Sequence, residues 1–157
     1  MTAALPKDAI VAVIGAGAMG AGIAQIAAVN GHRVQLHDTR LGAGEAAKKG
    51  IAEALGRHVE KGRMSRADAD ASLGRIATVV ALPDVCVAKL VIEAIVEDLG
   101  AKRELFERVE NVVDADCIIA TNTSSLSITT LGAQATHPAR IVGMHFFNPA
   151  QIGRAHV

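Results

Sequence analysis

Along this chain short, mostly apolar runs alternate with longer stretches in which apolar residues recur every three or four positions. Strands give the first rhythm and amphipathic helices the second. The short runs stand at 10–14, 33–37, 75–80, 90–94, 117–121 and 141–146 and predict six strands. Helical spacing appears over 18–30, 43–61, 99–113 and 128–133. In the second of these, Ala46, Ala47, Ile51, Ala54, Leu55 and Val59 share a face, while Lys48, Lys49, Glu53 and Arg57 lie on others. Gly31 and Gly62 act as stops, and Ser65 with Asp68 reads as the N-cap and first turn of a further short helix through Ala71. A connection around Pro83 spans 82–87, and a Ser- and Thr-rich turn, 122–125, precedes the last helix and can be read as its N-cap. Strands apolar throughout and separated by helices predict a parallel sheet covered on both faces. The fold class is therefore α/β, a doubly wound Rossmann domain over 1–150.

The best-marked unit is the first. The run VAVIGAGAMGAGIA ends a strand at a glycine and opens a small-residue helix, with Gly15, Gly17 and Gly20 at G-x-G-x-x-G spacing. Such glycines provide a tight turn, close approach of backbone to a pyrophosphate, and close helix-to-strand packing. The helix opening at Ala18 points its unpaired N–H groups and positive dipole end at that diphosphate. A second strand over 33–37 ends at Asp38, placed where an acid accepts the ribose hydroxyls and repels a 2′-phosphate. The cofactor indicated is NAD in preference to NADP, with Arg40 as a nearby cation that bears on the choice.

Composition removes several alternatives. Sixteen basic residues balance sixteen acidic ones, and the aromatic residues are three Phe with no Trp or Tyr, which disfavours nucleic-acid binding. No apolar run approaches the ~20 residues of a membrane span, and residues 1–7 lack the features of a secretion signal, so a cytoplasmic protein is expected. Cys86 and Cys117 show no metal-ligand spacing and are expected to be reduced packing residues; no metal site is expected.

Ligands of doubly wound sheets lie outside the carboxyl ends of the strands. Those ends offer Asp38, then Glu93 with Glu97, then Asn122, Thr123, Ser124 and Ser125, then His145 with Asn148. Oxidation of a secondary alcohol needs a base for the hydroxyl proton, and histidine suits that role near neutral pH. His145 is the candidate base and Ser124 the candidate to orient the substrate oxygen. The structural alternatives are a histidine packed beside two phenylalanines and a serine serving a helix cap.

The segments VAVIGAGAMGAGIA, LVIEAIVEDLGAKRELF, IIATNTSSLSIT and GMHFFNP, in this order, resemble the N-terminal domain of the 3-hydroxyacyl-CoA dehydrogenases over roughly 10–150. The likeness is nearest to bacterial short-chain members acting on 3-hydroxybutyryl-CoA and 3-hydroxyadipyl-CoA. It implies NAD-dependent oxidation of 3-hydroxyacyl-CoA to 3-oxoacyl-CoA in β-oxidation, butanoate or phenylacetate catabolism. By the same resemblance Met19 and Asp38 contact NAD, as do Ile95, Val96 and Glu97 after the fourth strand. Lys102 matches a cofactor-side lysine and Asn148 a nicotinamide contact; Ser124 touches both nicotinamide and substrate, and His145 is the catalytic base. Lys61 falls on a coenzyme A-contacting lysine, although Ala54 stands where some members carry a serine that joins it. Two other readings are a dehydrogenase of free 3-hydroxyacids, expected to use a lysine and to lack HFFNP, and a non-catalytic NAD-binding module, as in the family's lens-crystallin relative.

Family members continue past HFFNP into a glutamate that pairs with the histidine, and then into a helical domain that contacts the acyl chain and forms a homodimer. Here the chain reads QIGRAHV over 151–157, with Val157 at the glutamate's place. IGRAHV back-translates to ATC GGA AGA GCA CAC GTC, which resembles a sequencing-library adapter. Residues 151–157 are therefore expected to be a non-native tail, and the 157-residue chain a fragment that binds NAD weakly and is inactive.

Overall fold

The computed structural model describes residues 5–150, so the expected tail lies outside the described residues. Strands β1 (Ile10–Ile14), β2 (Arg33–His37), β3 (Ile76–Val79), β4 (Leu90–Glu93), β5 (Ile118–Thr121) and β6 (Ile141–Gly143) form one sheet in the order β3-β2-β1-β4-β5-β6. All neighbours run parallel, with Val13 opposite Leu36 on one side and Ile92 on the other. The chain leaves β1 toward β2 and β3, then crosses back to β4 on β1's other side. This reversal opens the crevice that binds ligands in such sheets.

Among the described residues five α-helices cover the sheet: α1 (Ala18–Val29), α2 (Ala43–Glu60), α3 (Arg66–Gly74), α4 (Leu99–Glu110) and α5 (Ile128–Gly132). The sheet's pleat divides the core into two layers. Val11 and Val13 of β1 face Ile23, Ala24, Ile51 and Leu55 of α1 and α2, while Ala12 and Ile14 face the layer containing Leu105, Phe106 and Val109 of α4. A strand buried on both faces must be apolar at every position, and this is why its sequence shows no alternation.

Four local expectations need correction. The short helix after Ser65 runs on to Gly74; Ser72 is buried and its hydroxyl donates to the Asp68 carbonyl at 2.7 Å, holding the last turn. Strand β6 stops at Gly143 instead of continuing to Phe146. Beyond its pairing with Thr121, Met144 N still donates to the Thr121 carbonyl at 2.9 Å, but Phe146 N bonds the Asn122 side chain. Ser127 caps α5, accepting from Thr130 N, so the 122–125 turn is not that helix's cap. Cys117 is fully buried, but Cys86 is exposed just after the 3₁₀ turn Leu82–Val85 and is not a core residue.

Candidate cofactor and catalytic site

Strand β1 runs into a turn whose conformation is fixed by glycine. Gly15 has φ +104°, and a Cβ there would stand 2.5 Å from the Ala94 carbonyl oxygen at the end of β4. Its N–H donates to the His37 carbonyl at 2.8 Å, tying the turn to β2. At Gly20 a Cβ would lie 1.6 Å from the Gly15 carbonyl oxygen, so α1 sits as close to the turn as only glycine allows. Gly17 differs: a Cβ there would meet nothing within 4 Å. Its lack of a side chain keeps open the space in front of α1, whose first bond from Gly17 is accepted by its carbonyl from Ala21 N. The N–H groups of the first turn therefore have no acceptor within the helix, which suits a diphosphate. A cavity of about 520 Å³ opens here, lined by Gly15, Gly17, Asp38, Arg40, Ile95 and Arg108 among others. A glycine cradle, an open helix N-terminus and a carboxylate in one cavity fit a dinucleotide. Ala18 stands at the helix mouth, and Met19 is half-buried against the first core layer.

Asp38 directly follows β2, with its carboxylate turned inward. Oδ2 accepts from Ala16 N at 2.8 Å and from the Arg40 guanidinium at 3.0 Å, while Oδ1 accepts from Arg40 N at 2.8 Å and Arg40 Nε at 3.1 Å. The Arg40 fork, helped by the two backbone donors and opposed by partial burial, holds the carboxyl far below the usual carboxylate range. It stays charged at any physiological pH.

The end of β4 carries a buried ionic network. Glu93 is wholly buried and accepts from Ile95 N, the Lys102 ammonium and the Thr121 hydroxyl, each at 2.6 Å. Thr121 in turn accepts from Thr123 N at 3.2 Å, and the Thr123 hydroxyl donates to Glu97. Lys102, expected to face the cofactor, is not at the cavity surface. Its side chain is 1% exposed, with Nζ on Glu93 and 3.9 Å from Glu97 Oε1. A lysine from α4 pairs with the buried Glu93 carboxylate, because an uncompensated buried carboxylate costs several kcal/mol. Ile95 is half-buried, while Val96 and Glu97 lie open on the loop that follows.

Across the crevice the turn after β5 meets the end of β6. Ser124, His145 and Asn148 are exposed there. Asn122, which sequence reasoning noted only as a strand-end residue, grips this region twice. Its Oδ1 accepts from Phe146 N at 2.8 Å, and its backbone carbonyl lies 3.3 Å from His145 Nδ1. A carbonyl only accepts, so the neutral ring carries its proton on Nδ1 and leaves the Nε2 lone pair outward. The ring also packs edge-on against Phe147, with centroids 5.1 Å apart. An amide at a strand end, next to a turn, is the sequence signal that could have found Asn122. Lys61 lines a second concavity of about 590 Å³ with Ala54, Arg57, His58 and Arg63, closed on one side by Pro149 beside Asn148. Among the described residues no cluster of His, Cys, Asp or Glu could hold a metal ion, and no helix is long and apolar enough to cross a membrane.

Known proteins share this fold. The family model described as 3-hydroxyacyl-CoA dehydrogenase, NAD binding domain, matches residues 10–155. The 3-hydroxyadipyl-CoA dehydrogenase of Escherichia coli K12 is 42% identical over 142 residues, covering 90% of this chain and 30% of that protein. A probable 3-hydroxybutyryl-CoA dehydrogenase of Bacillus subtilis is 40% identical over 140 residues, covering 89% and 49%. The crystal structure of a 3-hydroxybutyryl-CoA dehydrogenase from Escherichia coli superposes with a TM-score of 0.90 at 41% identity, covering 92% of this chain and 31% of that one. The chain thus spans half or less of the length of these relatives. It belongs to the NAD-binding domain family of the 3-hydroxyacyl-CoA dehydrogenases.

Proposed function

We propose that this chain supplies the cofactor site and the catalytic base for NAD-dependent oxidation of 3-hydroxyacyl-CoA to 3-oxoacyl-CoA. The observation that supports the reading is that the glycine turn, Asp38, Ser124 and His145 all follow the carboxyl ends of strands in one parallel sheet, with His145 Nδ1 on the Asn122 carbonyl so that Nε2 is free to accept a proton. Relatives named for 3-hydroxyacyl-CoA substrates at 40–42% identity support the substrate class. Bound NAD would supply the hydride acceptor. The protein's own part is to hold the alcohol and take its proton. Ser124 donates to the substrate oxygen as it becomes a carbonyl, and His145 Nε2 removes the hydroxyl proton. Gly15, Gly17, Ala18, Met19 and Gly20 serve the pyrophosphate end, Asp38 the adenosine ribose, and Ile95, Val96, Glu97 and Asn148 the nicotinamide side. Lys102 serves the cofactor through Glu93 and Glu97. Lys61, with Arg57, His58 and Arg63 nearby, offers cations to the phosphates of coenzyme A. The same reading carries the expectations of a cytoplasmic homodimer.

The test uses a full-length protein containing this chain. His145→Ala should lower turnover of 3-hydroxybutyryl-CoA by about 10²–10⁴-fold, the usual worth of a positioned base, with NAD affinity unchanged. Unaltered turnover removes His145 from the mechanism; loss of NAD affinity in step with turnover shows a structural role instead.

A further inference from the structure

We infer that Arg40 is a second determinant of cofactor choice, held in reserve by Asp38, and that neutralising Asp38 releases it to bind a 2′-phosphate. The inference rests on the reading of the 520 Å³ cavity as a dinucleotide site. It starts from how fully Asp38 is occupied. A carboxylate offers about four lone-pair sites, and here all four are taken: by Ala16 N, Arg40 N, Arg40 Nε and the Arg40 terminal nitrogen. Ribose hydroxyls can reach Asp38 only by displacing part of the Arg40 fork, so the fork has to be movable.

The surroundings allow that movement. The Arg40 side chain is 70% exposed whereas that of Asp38 is 8% exposed. Among the described residues Asp38 is the partner of Arg40's side-chain hydrogen bonds, while the Arg40 carbonyl accepts from Ala43 N at 3.1 Å, and the flanking Thr39 and Leu41 are exposed on a loop ending at Gly42. Arg40 lines both the 520 Å³ cavity and the neighbouring concavity along α1 and α2, standing on the rim between them. Paired, Asp38 and Arg40 present no net charge, and the inward carboxylate repels a dianion. With Asp38 neutral, the same guanidinium is an uncompensated fork whose geometry matches two phosphate oxygens. The other cation on this cavity is Arg108 of α4, set beside Glu104.

Titration calorimetry of a full-length protein containing this chain with NAD, NADP and ADP-ribose tests this in the wild type and in D38N, R40A and D38N/R40A. Wild type and R40A should prefer NAD. D38N should gain NADP affinity by about 10–100-fold, the range of a hydrogen bond to a charged group, and prefer NADP, and D38N/R40A should lose that gain. Asp38→Ser, which keeps an acceptor for Ala16 N, replaces D38N if that variant fails to fold. A gain that persists in D38N/R40A assigns it to Arg108 or to simple loss of repulsion and overturns the inference. So does a D38N or Asp38→Ser protein that binds NAD without any gain for NADP. Wild type binding none of the three ligands removes the dinucleotide reading itself, and the inference with it.

Discussion

Around the glycine turn the groups proposed to meet a dinucleotide are fixed by backbone. Gly15 N is tied to His37, Asp38 is gripped by Ala16 N and Arg40 N, and α1 is pressed against the turn at Gly20. Across the crevice the groups proposed for chemistry stand exposed, and the ring of His145 is held by one carbonyl 3.3 Å away and by the edge of Phe147. The difference follows from what each half has to do. Holding an anion requires only N–H groups and empty space, which sterics can build into a single βαβ unit. Moving a proton requires a side chain at a defined distance from a substrate, and that needs contacts from elements far apart in sequence.

Between the two halves lies the Glu93 network, and disturbing it should have the largest effect on stability. Lys102→Ala would leave a wholly buried carboxylate without its cation, and removal of one partner of a buried pair typically costs about 3–5 kcal/mol. Urea unfolding measures this; a loss under about 1 kcal/mol would show that the Glu93–Lys102 pair contributes little to the fold. The loop carrying Ile95 and Glu97 should loosen with it, since Glu93 holds Ile95 N.

Two glycines three residues apart should separate packing from binding. Gly20→Ala drives a Cβ into the Gly15 carbonyl and should cost about 1–3 kcal/mol or more, as overpacking does. Gly17→Ala meets nothing in the protein and, as the N-cap of α1, should cost less than about 1 kcal/mol of stability. Its Cβ would instead occupy the pyrophosphate's space and weaken NAD by about tenfold or more, about 1.4 kcal/mol. Equal NAD affinities for Gly17→Ala and wild type would show that the diphosphate does not pass over this turn.

The smallest effect concerns the two thiols. Burial pushes the Cys117 thiol up to about 11, and the thiolate is the reactive form. Because its pKa is raised in the fold, ionisation costs stability only as pH climbs toward that value. At about pH 8 iodoacetamide should label Cys86 alone in the native chain, and both cysteines in urea. Native labelling of Cys117 would show that β5 opens locally.

How much of this was legible beforehand depends on the range of the interaction. Strand β1, its glycine turn, α1 and the acid after β2 could be read from the chain because each is set by neighbours a few residues away: periodicity, a positive φ at Gly15, a helix mouth at Gly17. The parallel sheet was legible too, since a strand covered on both faces must be apolar throughout. Tertiary structure decided the rest. Lys102 looks from spacing like an exposed lysine of an amphipathic helix, and only the packing of α4 on β4 puts its ammonium on Glu93, nine residues away. Asn122 is an ordinary turn residue until β5 and β6 pair; their register then brings Phe146 N, 24 residues on, to its side chain and ends β6 early. Even at Asp38, whose position the sequence set, occupancy of the carboxylate by Arg40 emerged only in three dimensions. Short-range sterics are written in adjacent residues, whereas the partner of a buried charge or a strand-end amide is chosen by register and packing across the whole sheet.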